Sequence, residues 1–424
     1  MTGKTILILG GGVGGLATAN ELRRRLGQEH KIILVEKNKD HISASSSLWV
    51  MVGWRRPEDI KKDTSRLIEK GIELVNAEIL KIDPENKVVK TGKGELNYDY
   101  LVISLGAALF PETIPGLVDA FGKNAYNLYD LDGVVRLRDT LTNFSGGDIV
   151  ILICSLPYKC PAAPYETTLL VSDFFKKKNI RKNIKITIIT PEVLPMPVAG
   201  PAVGNMMKEL LERMGIEHNF EHKVESVNAE KNEITHNKGK ANYDLLLVVP
   251  PHKAPKVVKE SGLTDNDWIP VDKDNFKTKF ENVYAIGDVA KIKIPGEWKP
   301  GVPLMLPKAG VFAHYHAKVV AENIANEISG KGERVGFTGE GACFIEIGRG
   351  MAGFGTGNFY AQPNPAVKIK RPSPVWHVSK VLFEKYWLSD VDSFLKKPLD
   401  AVLEKMMYGD YKKKASGEVK DAGG

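Results

Sequence analysis

The chain has 424 residues, 43% hydrophobic and 26% charged. That mix suits two to four folded domains of roughly 100–200 residues each and argues against a disordered, collagenous or bilayer-spanning polypeptide. Lysine and arginine exceed the acids by 59 to 52, a net charge of +7, too small and scattered for a nucleic-acid binder but compatible with an anionic membrane surface.

In chain order, the apolar stretch Thr5–Leu9 reads as a strand. It runs into Gly10-Gly11-Gly12-Val13-Gly14-Gly15, and residues 16–26 have helical spacing. The N-terminal apolar run is too short for a signal peptide, so a cytoplasmic polypeptide is expected. A second strand, Lys31–Val35, ends at Glu36. In such a unit Gly10 permits the tight turn, Gly12 lets backbone approach a pyrophosphate, and Gly15 lets helix and strand pack closely. Glu36 then stands where a carboxylate accepts ribose hydroxyls.

Residues 98–104 read as a buried strand ending at Gly106, and residues 148–153, 185–190 and 244–249 as strands of a second unit, with an amphipathic helix over 204–214. The segment Asn282-Val283-Tyr284-Ala285-Ile286-Gly287-Asp288 delivers a glycine and a carboxylate at a strand end, where the acid can bond a ribityl chain. A helix over 308–328 and a strand region holding Cys343 follow. Near the C-terminus, Val378, Val381, Leu382, Phe383, Tyr386 and Trp387 recur at helical spacing with Lys380, Glu384 and Lys385 between them. A second such run, Leu399, Val402, Leu403, Met406 and Met407, precedes Lys412, Lys413 and Lys414. Such helices suit the plane of a membrane interface, or else packing against the enzyme or a second copy.

The expected fold is therefore α/β, with two Rossmann-like dinucleotide-binding domains and a C-terminal amphipathic helical region. Residues 1–115 form the first part of a dinucleotide-binding domain and 116–275 a second Rossmann-like domain. Residues 276–370 return to the first domain, and 371–424 form an amphipathic region suited to a membrane surface. A flavoenzyme fed by NAD(P)H needs a second glycine fingerprint. Here strand 148–153 is followed by Cys154-Ser155-Leu156-Pro157-Tyr158-Lys159-Cys160-Pro161, with no glycine until Gly200. The electron donor is expected to be something other than NAD(P)H.

Three cysteines, Cys154, Cys160 and Cys343, are too few for a secreted disulfide framework and lack metal-ligand spacing. Cys154, amid Ile151, Leu152, Ile153 and Leu156, reads as plain core, although residue spacing alone leaves all three pairings open.

The glycine region, the segment Ser47-Leu48-Trp49-Val50-Met51-Val52-Gly53-Trp54-Arg55, the turn Cys160-Pro161-Ala162-Ala163-Pro164-Tyr165-Glu166, the Ala285-Ile286-Gly287-Asp288 motif, Lys308 and the late Cys343 together resemble the sulfide:quinone oxidoreductase family. They also resemble its relative, the flavin subunit of flavocytochrome c sulfide dehydrogenase. The resemblance covers nearly the whole chain. It implies FAD-dependent oxidation of hydrogen sulfide to sulfane sulfur, with Cys160 and Cys343 as the redox pair, Glu166 as an acid/base and Lys308 as a cation beside the flavin. Gly10, Gly12, Gly15, Glu36, Gly106, Gly287 and Asp288 would hold FAD, Phe344 and Phe383 would clasp a quinone ring, and no metal is implied. The expected setting is peripheral, on the cytoplasmic side of the cell membrane, with a homo-oligomer as a further expectation.

Departures from the family pattern are specific. Residues 128–132 hold neither cysteine nor histidine, residues 193–200 hold no histidine, and residues 40–47 hold no cysteine for covalent flavin attachment. The rival expectations are an NADH:quinone oxidoreductase of the same fold, a flavocytochrome-type sulfide dehydrogenase flavoprotein, and a non-catalytic flavin redox or sulfur-binding protein.

Overall fold

A computed structural model describes residues 3–297, 304–394 and 396–408. The first third supplies β1 (Thr5–Leu9), α1 (Val13–Arg25), β2 (Lys31–Val35), β3 (Ile72–Val75) and β4 (Tyr100–Ile103). The middle adds β5 (Ala125–Asn127), β6 (Gly147–Ile153), α2 (Ala163–Lys177), β7 (Ile184–Ile189), α3 (Pro201–Arg213), β8 (Glu217–Asn219) and β9 (Leu245–Val249). The last part has β10 (Val283–Ala285), α4 (Gly310–Ser329), β11 (Glu340–Gly348), β12 (Met351–Asn358), β13 (Ala366–Ser373), α5 (Pro374–Leu388) and α6 (Lys396–Tyr408).

Two parallel five-stranded sheets form the frame, in the orders β10-β4-β1-β2-β3 and β5-β9-β6-β7-β8. Each central strand is a run of aliphatic residues buried on both faces, as a sheet covered on both sides requires. Ile6 to Leu9 and Ile149 to Ile153 are all 3% exposed or less. The chain leaves the first sheet after β4, builds the second, and returns to place β10 beside β4.

Two element starts differ from the sequence reading. Helix α1 begins at Val13 rather than residue 16, because the third glycine turn is already helical. The helix expected from residue 308 begins at Gly310. Lys308 instead lies in an extended segment bridged to Lys159.

An antiparallel sheet, β11-β12-β13, closes the molecule. Helix α5 packs on β12 with an inverted amphipathic pattern. Lys380 and Glu384 are buried, whereas Val375, Val378 and Leu382 are 64%, 54% and 47% exposed. Of the placements the sequence left open for this run, packing against the enzyme holds for Lys380, which is buried on Glu166. The side chains of Leu403 and Met407 and the run Lys412 to Lys414 lie outside the described residues. Among the described residues no helix is long and apolar enough to cross a membrane.

Candidate active site

The first glycine turn is built as a dinucleotide cradle. Gly10 has φ +96°, a left-handed value that glycine adopts without strain. A Cβ on Gly15 would stand 1.8 Å from the Gly10 carbonyl oxygen, so only glycine allows this approach of helix to strand. A Cβ on Gly12 meets nothing within 4 Å, so the space above it is open at the start of α1, where helix N–H groups favour a phosphate. Glu36 accepts from the Gly11 amide at 2.6 Å and the Asn38 amide at 2.8 Å, which orients its carboxylate beside the turn. Gly106 also faces open space, and the Gly287 amide donates to His316 Nδ1 at 3.2 Å.

Asp288 supplies the test of fit for a flavin. Its Oδ1 is buried without a hydrogen-bond partner, and burial raises its pKa against the pull of Lys308 and Lys159. A buried orphaned acceptor is costly unless a ligand donor completes it. The residues present fit FAD: the glycine turn for the pyrophosphate, Glu36 for ribose and Asp288 for the ribityl hydroxyls. Lys308 stands close by. Its ammonium donates to the carbonyls of Asp288 at 2.6 Å and Ala290 at 3.1 Å and lies 3.5 Å from the centre of the Trp268 ring. Burial lowers its pKa to about 7.

Cys160 and Cys343 line one cavity enclosing about 670 Å3 of empty space, open mouth included. Its other walls, including Met196, Val198, Phe312, Phe359 and Ile369, are almost wholly apolar. Room for it arises partly in the sheet, where Gly355 stands opposite Cys343 across β11 and β12. Cys343 is exposed to that space, Cys160 is half-buried, and both are unbridged thiols. Cys154 is buried in the core below β6, as its neighbours suggested.

Cys160 sits just ahead of α2 in left-handed backbone, φ +52°. Its amide donates to the Lys308 carbonyl at 2.6 Å, and the Tyr129 hydroxyl donates to the preceding carbonyl, that of Lys159, at 2.8 Å. Burial, then the neighbouring Cys343 and Glu166, push the Cys160 thiol well above the ordinary value, while Lys380 and the Ala163 amide pull it down. Burial and Glu166 push Cys343 up to about 12. As a dithiol, the pair holds its protons at neutral pH.

Glu166, one turn into α2, is buried and accepts from Lys380 Nζ at 2.6 Å and the Glu346 amide at 2.7 Å. The arrangement continues outward: His377 Nδ1 lies 2.9 Å from Glu346 Oε1. Arg55 grips Glu384 through Nη2 at 2.9 Å and Nε at 3.1 Å, with its guanidinium 4.8 Å from the centre of the Trp49 ring. The Trp49 to Arg55 segment thus holds α5 so that Lys380 faces the thiols' carboxylate.

Sequence reasoning missed Lys380, Glu346 and His377. His377 and Lys380, one turn apart amid aromatics, look like a solvated face, and Glu346 lies on a strand remote from both. Phe344 lies on the opposite face of β11 from Cys343, packed 4.9 Å from Phe354 and 6.1 Å from Phe383 between ring centres. The two expected quinone-clasping rings meet each other, away from the lining of the thiol cavity.

The second Rossmann-like unit lacks an open cradle. The loop from β6 to α2 carries Tyr158, and Glu192 follows β7. The Glu192 carboxylate is 2% exposed and accepts from the hydroxyls of Tyr158, Tyr165 and Thr190.

Residues 4–309 match the family described as pyridine nucleotide-disulphide oxidoreductase. The chain belongs to this family. FAD is its cofactor. The mitochondrial sulfide:quinone oxidoreductase of Dictyostelium discoideum is 28% identical over 68% of this chain, which spans 65% of that relative's length. The sulfide-quinone reductase of Aquifex aeolicus (strain VF5) is 27% identical over 91% of this chain and 90% of its own length. The X-ray structure of the sulfide:quinone oxidoreductase from Aquifex aeolicus superposes with a TM-score of 0.80 at 25% identity, covering 95% of both chains. The resemblance read from the cysteine turn and the Trp49 segment is borne out, as is the α/β fold of this flavoprotein family.

Proposed function

We propose that this chain oxidises hydrogen sulfide at Cys160 and Cys343 and passes the electrons through FAD to a membrane quinone. The observation that carries this reading is the convergence of two cysteines, distant in sequence, on one apolar cavity beside Lys308 and Asp288. Similarity to sulfide:quinone oxidoreductases over most of the chain supports it.

The chemistry starts from the oxidised pair. Hydrosulfide attacks the more exposed sulfur, Cys343, and breaks the Cys160–Cys343 bond. Cys343 then carries a persulfide and Cys160 leaves as a thiolate. FAD supplies a two-electron acceptor when bound. Net, each hydrosulfide loses two electrons and one proton and becomes sulfane sulfur. Lys380 and the helix-start amide of Ala163 favour the Cys160 thiolate, and Glu166, paired to Lys380, is the group placed to take the proton. An apolar cavity suits uncharged sulfur better than water or ions. Phe383, half-buried beside the buried Phe344, offers a flat apolar face to a quinone.

The outward apolar face of α5 supports peripheral attachment, on the cytoplasmic side of the cell membrane. A second copy of the chain is the other occupant expected for such a face. NADH is disfavoured as donor because Tyr158 and Tyr165 occupy the carboxylate a ribose would need.

The test is anaerobic titration of the FAD-loaded protein with sulfide. Flavin absorbance should bleach about stoichiometrically in the unaltered protein and fail to bleach in Cys160→Ser. Bleaching by NADH with sulfide inert would overturn the reading.

A further inference from the structure

In a nucleotide-binding unit the acid after the second strand takes the ribose. Glu36 stands there after β2, and Glu192 stands in the matching region after β7. Glu192 differs in having every approach occupied by protein. It accepts from Tyr158 at 3.0 Å, from Thr190 at 3.1 Å and from Tyr165.

These donors come from separate segments. Tyr158 lies two residues before Cys160 and Tyr165 in the first turn of α2, whereas Thr190 and Glu192 itself follow β7, in the loop that leads to Met196. Cys160 and Met196 both line the thiol cavity and both hold left-handed backbone, at φ +52° and +50°. Non-glycine residues keep that conformation only where surrounding contacts over-determine it.

We propose that Glu192 is a positioning residue: by gathering Tyr158 and Tyr165 it ties the Cys160 turn to the loop after β7 and so sets the encounter of Cys160 with Cys343. The acid of a former ribose site has become the tie between two loops of a thiol site. Removing it, or one hydroxyl it holds, loosens the Cys160 turn and lowers the effective concentration of one sulfur at the other.

This inference rests on the reading of Cys160 as a redox thiol, and its test separates the two. FAD-loaded unaltered protein, Tyr158→Phe and Glu192→Gln are equilibrated with graded glutathione buffers. The Cys160–Cys343 bond is then counted by alkylation and mass spectrometry, with melting temperature and flavin spectrum recorded alongside. The expected result is a shift of tenfold or more toward the dithiol in both variants. Tyr158→Phe, which deletes a single oxygen, should keep the flavin spectrum and melt within a few degrees of the unaltered protein. An equilibrium within twofold of the unaltered protein would overturn the inference while leaving sulfide oxidation standing. Absence of any Cys160–Cys343 bond in the unaltered protein, with sulfide unable to bleach its flavin, would overturn the underlying reading and the inference with it.

Discussion

The Lys380 ammonium donates to Glu166 Oε1 at 2.6 Å, and both side chains are buried. One comes from the last third of the chain and the other from the helix that follows Cys160, so a single ion pair joins α5 to the thiol site. Burial opposes the charge on Lys380, yet Glu166 and Glu346 hold its pKa above the ordinary value.

Removing one member of such a pair leaves a buried charge without compensation, which costs about 3–5 kcal/mol. Lys380→Met should lower stability by about that amount in urea denaturation at neutral pH, and sulfide-driven flavin reduction should slow. Adding Glu166→Gln to Lys380→Met should recover part of the stability and none of the rate.

Gly12 and Gly15 make a contrasting pair. Gly12→Ala adds a methyl group to open space, so the protein without flavin should melt as before while FAD affinity falls at least tenfold by fluorescence titration. Gly15→Ala drives a methyl group into the Gly10 carbonyl and should lower the melting temperature with or without FAD.

Glu192 gives stability a pH dependence of definite sign. Burial raises its carboxyl from 4.5 to about 7 in the folded protein, against the pull of Tyr165, Tyr158, Thr190 and the Met196 amide. Below about 4.5 both states hold the proton. Between there and about 7 the folded state keeps a proton the unfolded chain has released, so stability falls as pH rises, by up to about 3 kcal/mol. Urea unfolding at pH 5 and pH 7.5 should show this loss in the unaltered protein and a smaller loss in Glu192→Gln.

The outward face of α5 can be tested without touching the thiols. Val375→Asp, Val378→Asp and Leu382→Asp together should cut co-sedimentation with vesicles of phosphatidylcholine and phosphatidylglycerol several-fold. The rate at which sulfide bleaches the flavin should stay unchanged.

Much of the frame was legible because local rules dominate there. Aliphatic runs bounded by glycines have few alternatives to buried parallel strands, and the spacing of Gly10, Gly12, Gly15 and Glu36 carries its own chemistry. The meeting of Cys160 with Cys343 was not readable from either residue and came only through resemblance, because it depends on how two sheets are joined. Helix α5 left two placements open for a physical reason. Its periodicity separates charged from apolar residues, yet Glu166, Glu346 and Arg55, all remote in sequence, neutralise the charged side and allow it inward. Glu192 looked like any acid until its hydroxyl donors were in place.

The Cys160 amide bonded to the Lys308 carbonyl stitches the inserted domain to the segment leading into α4. Swinging the two halves apart, clamshell fashion, would tear that backbone bond and the strand-like bridge beside it. In the proposed oxidation, sulfur would then enter and leave by the cavity's mouth rather than through an opening between lobes.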